Sequence, residues 1–183
     1  MGFSMVCKTT GKNCSYSTWY QQRTEIIKVT MKYLEAKILE VQEKLQEIGD
    51  DDGEIKINDF PPIQYDYFIT RLNEVLIEPI KKCRNDENIF KILEYKDIYH
   101  IKEEMTAFGI YGIHLLCKQG DCGGVYTVGE SYDILELLRV IKPYFDKSSE
   151  IYETVYNINS IWSSPIYNIF YDSVSTCTPI RIT

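Results

Sequence analysis

The chain has 183 residues, enough for one domain with a substantial core, and its 44% hydrophobic and 26% charged residues are those of an ordinary globular protein. A net charge of −7 with no lysine- and arginine-rich run disfavours unaided nucleic-acid binding and attraction to an anionic membrane surface. No window approaches the roughly 18 apolar residues of a membrane span. Lys8 cuts short the apolar start, so no signal peptide is expected, and the six cysteines are expected as reduced thiols in a cytoplasmic protein.

Gly2 to Lys8 reads as a short strand, followed by a turn over residues 9–13. Ser15-Tyr16-Ser17-Thr18 then offers caps for a long first helix. Ile27, Met31, Leu34, Ile38, Val41, Leu45 and Ile48 step alternately by four and three, which makes a heptad seam along that helix. Such a seam packs on the protein's own core or pairs with another helix, including a second copy of itself. Gly49 is the expected stop.

Residues 49–62 read as an acidic, solvated loop with a short strand over residues 54–57. Six acids and one lysine lie between Glu47 and Asp59. Asp50, Asp51 and Asp52 are consecutive, whereas a calcium loop alternates its ligands, so no ion is assigned there. Pro61-Pro62 bars a helix before Ile63. A helical period then runs from Tyr65 to Cys83, with Pro79 expected to kink or end it. Asp86 caps a further helix expected to reach about Met105. Phe108 to Cys117 is apolar and reads as the central strand.

The stretch 117-CKQGDCGGVYTVGES-131 joins that strand to a helix marked by Ile134, Leu135, Leu138 and Ile141, which Pro143 is expected to stop or bend. Thr127 stands three residues before Glu130, the spacing of a capping box, and the glycines suit a tight turn. Two other readings compete with this structural one. Asp121 and Glu130 fall at ligand positions of a calcium loop, and Cys7, Cys14, Cys117 and Cys122 would converge on zinc if the first strand lay beside the 108–117 strand. Cys122 with His114 is the minimum for a thiol nucleophile and its base. On a strand, His114 and Cys117 would point to opposite faces. No cofactor motif is present, and no metal or cofactor is assigned.

Residues 157–165 read as a loop carrying Trp162, Tyr167 to Val174 as a short helix, and Pro179 to Thr183 as a last strand. The mixture, without a strand–helix–strand rhythm, is expected to be one α+β domain over residues 1–183, a small sheet covered by helices.

Met1-Gly2, Ser15-Tyr16-Ser17-Thr18, Arg23, Asp121-Cys122-Gly123-Gly124, Glu130 and Pro179-Ile180 occur in the order found in a group of small uncharacterised proteins of bacteriophages and large DNA viruses. The chain resembles that group over its two ends and the loop. It departs where Gln119-Gly120 precedes Asp121 and where Gly123 replaces a second acid, which weighs against metal or acid–base chemistry. The resemblance implies the fold and a viral origin, and no activity.

The expected function is therefore non-catalytic, through binding another protein or a second copy. The candidate surfaces are the seam (Ile27, Met31, Leu34, Ile38, Val41) and the aromatic C-terminal region (Trp162, Tyr167, Tyr171), because aromatic residues dominate interfaces. The alternative is a small thiol- or metal-dependent enzyme centred on His114, Asp121, Cys122 and Glu130.

Overall fold

The computed structural model describes residues 2–8, 10–49, 62–83, 86–94, 96–118, 123–157 and 163–183. The acidic loop and its expected strand, together with Asp121, Cys122 and Trp162, lie outside these residues. The architecture is α+β, as expected. Strands β1 (Gly2–Cys7), β2 (Thr10–Ser15), β3 (Gly124–Tyr126) and β4 (Ile180–Ile182) form one antiparallel sheet in the order β2-β1-β4-β3. The turn between β1 and β2 is tighter than the sequence suggests, since β2 has begun by Thr10. Lys8 takes a left-handed backbone, φ 46°, to make it.

Strand periodicity decides which side of the sheet meets the core. Phe3, Met5, Cys7, Tyr126, Ile180 and Ile182 point inward and are buried. On the outer side Val6 and Val125 both register with Arg181 and are nearly half exposed. Helix α1 (Tyr16–Gly49) packs under the sheet, with Phe3 stacked on Trp19 at 4.7 Å. Its first turn is capped by Ser15, whose Oγ accepts the Thr18 N–H at 3.1 Å.

The helical segment expected to kink or end at Pro79 continues to Lys82, with an irregular turn just before the proline. Helix α2 (Pro62–Leu72) runs through a π-helical turn, Asn73–Ile77, into α3 (Glu78–Lys82). The Glu78 N–H bonds the Asn73 carbonyl five residues back, and Pro79 falls in the first turn of α3, where its missing N–H is tolerated. The helix expected from Asp86 to Met105 is in turn broken into α4 (Asp86–Glu94), a 3-10 turn over Lys96–Ile101 and α5 (Lys102–Ala107).

The expected central strand over 108–117 is a helix, α6 (Gly112–Lys118). Gly109, φ +72°, ends α5: its N–H bonds the Thr106 carbonyl, and the Ile110 N–H reaches back to Met105. That pair of bonds is the Schellman pattern, and it cuts the apolar run in two. Every residue from Gly112 to Cys117 is buried, so the helix is enclosed on all sides and carries no amphipathic period to reveal it. Gly112 sits where α6 meets the backbone of α7 (Val128–Ile141). A Cβ there would stand 2.5 Å from the Asp133 carbonyl oxygen.

Helix α8 (Glu150–Tyr152) leads into a second π-helical turn, Glu153–Asn157, and α9 (Ile166–Thr176) returns along α7. Ser131 and Ser173 are both fully buried at that contact and hydrogen-bond at 2.9 Å. Among the described residues, no helix is long and apolar enough to cross a membrane.

Candidate functional site

The turn into α7 is built as the spacing of Thr127 and Glu130 predicts. Thr127 Oγ1 accepts the Glu130 N–H at 3.2 Å, and Glu130 Oε2 accepts the Thr127 N–H at 2.9 Å. The same carboxylate oxygen takes the Thr127 hydroxyl at 3.1 Å. Glu130 therefore satisfies backbone amides that the first turn of a helix otherwise leaves open.

His114 lies in α6 with 1% of its surface exposed. Its Nδ1 hydrogen-bonds the Leu93 carbonyl, which can only accept, so that nitrogen carries the proton. Nε2 is buried without a hydrogen-bond partner among the described residues, and the rings of Tyr99 and Tyr111 lie 5.3 and 5.6 Å away. Burial lowers the imidazole pKa, opposed by the Leu93 bond and assisted by Lys118 and Lys102, so the ring is held neutral. Because the segment is helical, His114 and Cys117 are both buried rather than placed on opposite faces of a strand.

The zinc convergence fails on its premise, since β1 is flanked by β2 and β4 and not by the 108–117 segment. Among the described residues, no three His, Cys, Asp or Glu side chains are grouped to hold a metal. Burial followed by the Asp172 charge pushes the Cys7 thiol up to about 11, and burial also raises Cys14. Both shifts oppose formation of a nucleophilic thiolate.

The two expected interaction surfaces have different fates. Along the seam, Ile27, Leu34, Ile38 and Val41 are buried in this chain's own core, with Met31 half-buried beside them. Ile26, Thr30 and Tyr33, just off the seam, are buried too, which widens the stripe to that of a core helix. Over Ile27–Val41 the seam is thus enclosed, not presented as an interaction surface, while the side chains of Leu45 and Ile48 lie outside the described residues.

Tyr167 and Tyr171 do come together. Their rings on α9 lie nearly parallel, 6.4 Å apart with 15° between planes, and Tyr171 is 52% exposed. Inward the row continues from Tyr167 to Tyr156 at 5.9 Å, then to Tyr152 at 5.1 Å and Phe145 at 5.5 Å from Tyr156. Each ring fixes the next. The Tyr156 hydroxyl donates to the Leu138 carbonyl at 2.6 Å, and Lys142 Nζ stands 4.9 Å over the same ring. Arg139 Nε donates to the Tyr167 hydroxyl at 3.4 Å, and the guanidinium also pairs with Glu136.

Only the outer end of this row, Tyr167 and Tyr171, is legible in the sequence. Tyr152 and Tyr156 fall in α8 and its π-helical turn, where no clean period marks them, and Arg139 reads as one more charge on the solvent side of α7. Arg23, a landmark of the viral resemblance, is 4% exposed; its guanidinium lies 4.9 Å from the Phe90 ring centre and donates to the Leu116 carbonyl at 3.3 Å. It ties α1 to the end of α6. Compared with known proteins, the chain matches no family model, no curated protein and no solved structure.

Proposed function

We propose that this is a non-catalytic cytoplasmic protein, viral as its resemblance implies, that works by binding another protein through the tyrosine face of α9. The observation that carries the reading is the Tyr167–Tyr171 pair, which is exposed at one end and braced at the other by the half-buried Tyr156 and the buried Tyr152 and Phe145. Rings already held in place lose little freedom on binding, so their area converts efficiently into affinity. The partner is a basic segment. An exposed aromatic face attracts a lysine or arginine head group.

A photo-cross-linking residue placed at the exposed Asn168 tests this in cells that express the protein. The expected product is one discrete adduct to a Lys- and Arg-rich peptide, absent when the same residue is placed at Leu39 and lost in Tyr171→Ala. Adducts that are equal at the two positions, or unchanged by Tyr171→Ala, would refute the assignment. The thiol- or metal-dependent alternative draws less support. Glu130 is engaged in capping and His114 is enclosed, neutral and remote from solvent.

A further inference from the structure

Tyr99, on the 3-10 turn, is half exposed, yet its ring meets the sealed imidazole of His114 at 5.3 Å with 74° between planes. It therefore touches solvent on one side and covers His114 on the other. The remaining neighbours are fixed. Tyr111 is buried, with Lys102 Nζ 4.9 Å over its ring. Ile98 and Ile101 are buried too, and they anchor the backbone of the turn in the core. Tyr99 is the neighbour with room to move.

The surroundings of the imidazole decide what a second proton would meet. Nδ1 is engaged by the Leu93 carbonyl of α4, so the proton must go to Nε2, which has no acceptor among the described residues. The charges that bear on the ring are Lys118 on its own helix and Lys102 on α5, both positive. Carboxylates of the packed elements serve elsewhere. Glu104 of α5 is ion-paired with Arg71, and Glu130 and Asp133 of α7 bear on the Tyr111 hydroxyl. Glu103 of α5, Lys91 of α4 and His100 of the turn are exposed, and Arg23 of α1 donates to the Leu116 carbonyl. An aromatic ring attracts a cation, but less strongly than the water it displaces, so a buried imidazolium is relieved by admitting water.

We propose that His114 and Tyr99 form an acid-sensitive latch: when Nε2 takes a proton, the Tyr99 ring swings out and water enters to solvate the imidazolium. Turning a half-exposed ring gives up little packing, whereas releasing Ile98 and Ile101 would expose two core side chains. The movement is therefore confined to Tyr99, and the Nδ1 bond to Leu93 survives it. Burial places the protonation step below the ordinary 6.5, so the latch is shut at neutral pH and opens in acid. It is separate from the tyrosine face of α9 and stands or falls independently of it.

Proton NMR of the full chain from neutral pH into acid tests the proposal. The chain has two histidines, so His100→Gln leaves the His114 ring signals alone in their region. His114 is expected to titrate below 6.5, and the Tyr99 ring resonances to shift with the same midpoint. In Tyr99→Ala the cover is gone, and the His114 midpoint should rise by about one pH unit toward its ordinary value. Tyr99→Phe keeps the ring and should leave the midpoint unchanged, while His114→Asn should abolish the acid shift of the Tyr99 signals. The proposal is overturned if the Tyr99 resonances stay constant while His114 titrates, or if they still shift in His114→Asn. It is equally overturned if Tyr99→Ala leaves the midpoint where it was, or if His114 takes no proton before the chain unfolds.

Discussion

A histidine that gives up its proton-binding range on folding leaves a mark on the stability of the whole protein. His114 has an ordinary value of 6.5 that burial lowers, so between 6.5 and its folded value the unfolded chain holds a proton that the native chain lacks. Protonation then favours unfolding. Stability is fully present above 6.5 and falls as pH drops through the window, with a slope of up to about 1.4 kcal/mol per pH unit. His114→Asn keeps an N–H to offer the Leu93 carbonyl but cannot titrate. Urea unfolding of both proteins from pH 7.5 to 5 should show the gap between them narrowing as pH falls. A gap that stays constant would mean the imidazole is as easily protonated folded as unfolded. Thr127 and Glu130 were readable from three-residue spacing because both partners belong to one helical turn. His114 was not, because its partner is the carbonyl of Leu93, 21 residues away and on another helix.

At the scale of an element, α1 shows how one spacing fits two structures. A four-and-three repeat is shared by coiled coils and core helices, and they differ in the width of the apolar stripe. Arg23, Thr30 and Tyr33 hid that width in the sequence because they are polar or amphipathic, yet all three are buried. The Tyr33 hydroxyl donates to the Phe108 carbonyl at 2.8 Å, and Thr30 Oγ1 to the Ile26 carbonyl at 2.7 Å. Leu34, fully buried, tests the enclosure. Leu34→Ala should destabilise the chain by about 2–5 kcal/mol, the range for a truncated core leucine. Its melting temperature, and that of the wild type, should not depend on protein concentration, because no second chain is needed to bury the seam. A melting temperature that climbs with concentration would restore the self-paired helix. The misreading of α6 has a different origin. A run of about ten apolar residues suits a strand or a wholly buried helix equally well. The discriminating marks were Gly109 and Gly112, one ending a helix and the other admitting a neighbouring backbone, and neither has a periodic signature.

Across the whole molecule, the sheet ties together the distant parts of the chain. β4 pairs with β1 through Met5–Ile182 and Val6–Arg181, and with β3 through Gly124–Ile182, Val125–Arg181 and Tyr126–Ile180. The β1–β4 pairing therefore closes nearly the whole described chain into one loop, and contacts of such high sequence separation delay strand pairing. The end strands were legible because alternation marks each of them singly, but their adjacency was not, since pairing over such a separation leaves no local trace. Ile182 is the point to press, because it is 3% exposed and is registered with residues of both neighbours. Ile182→Asp places a charge against the buried Met5 and should lower stability by about 3 kcal/mol or more, as uncompensated buried charges do. In a Trp162→Phe background, fluorescence reports on Trp19, which is fully buried and stacked on Phe3 of β1. If sheet and helices form one cooperative unit, the fluorescence and far-ultraviolet circular dichroism transitions of the variant should move together to lower urea. If the fluorescence change comes first while helicity persists, the strands unfold separately from the helices, and the resulting open edge of β1 would be the surface exposed to other chains.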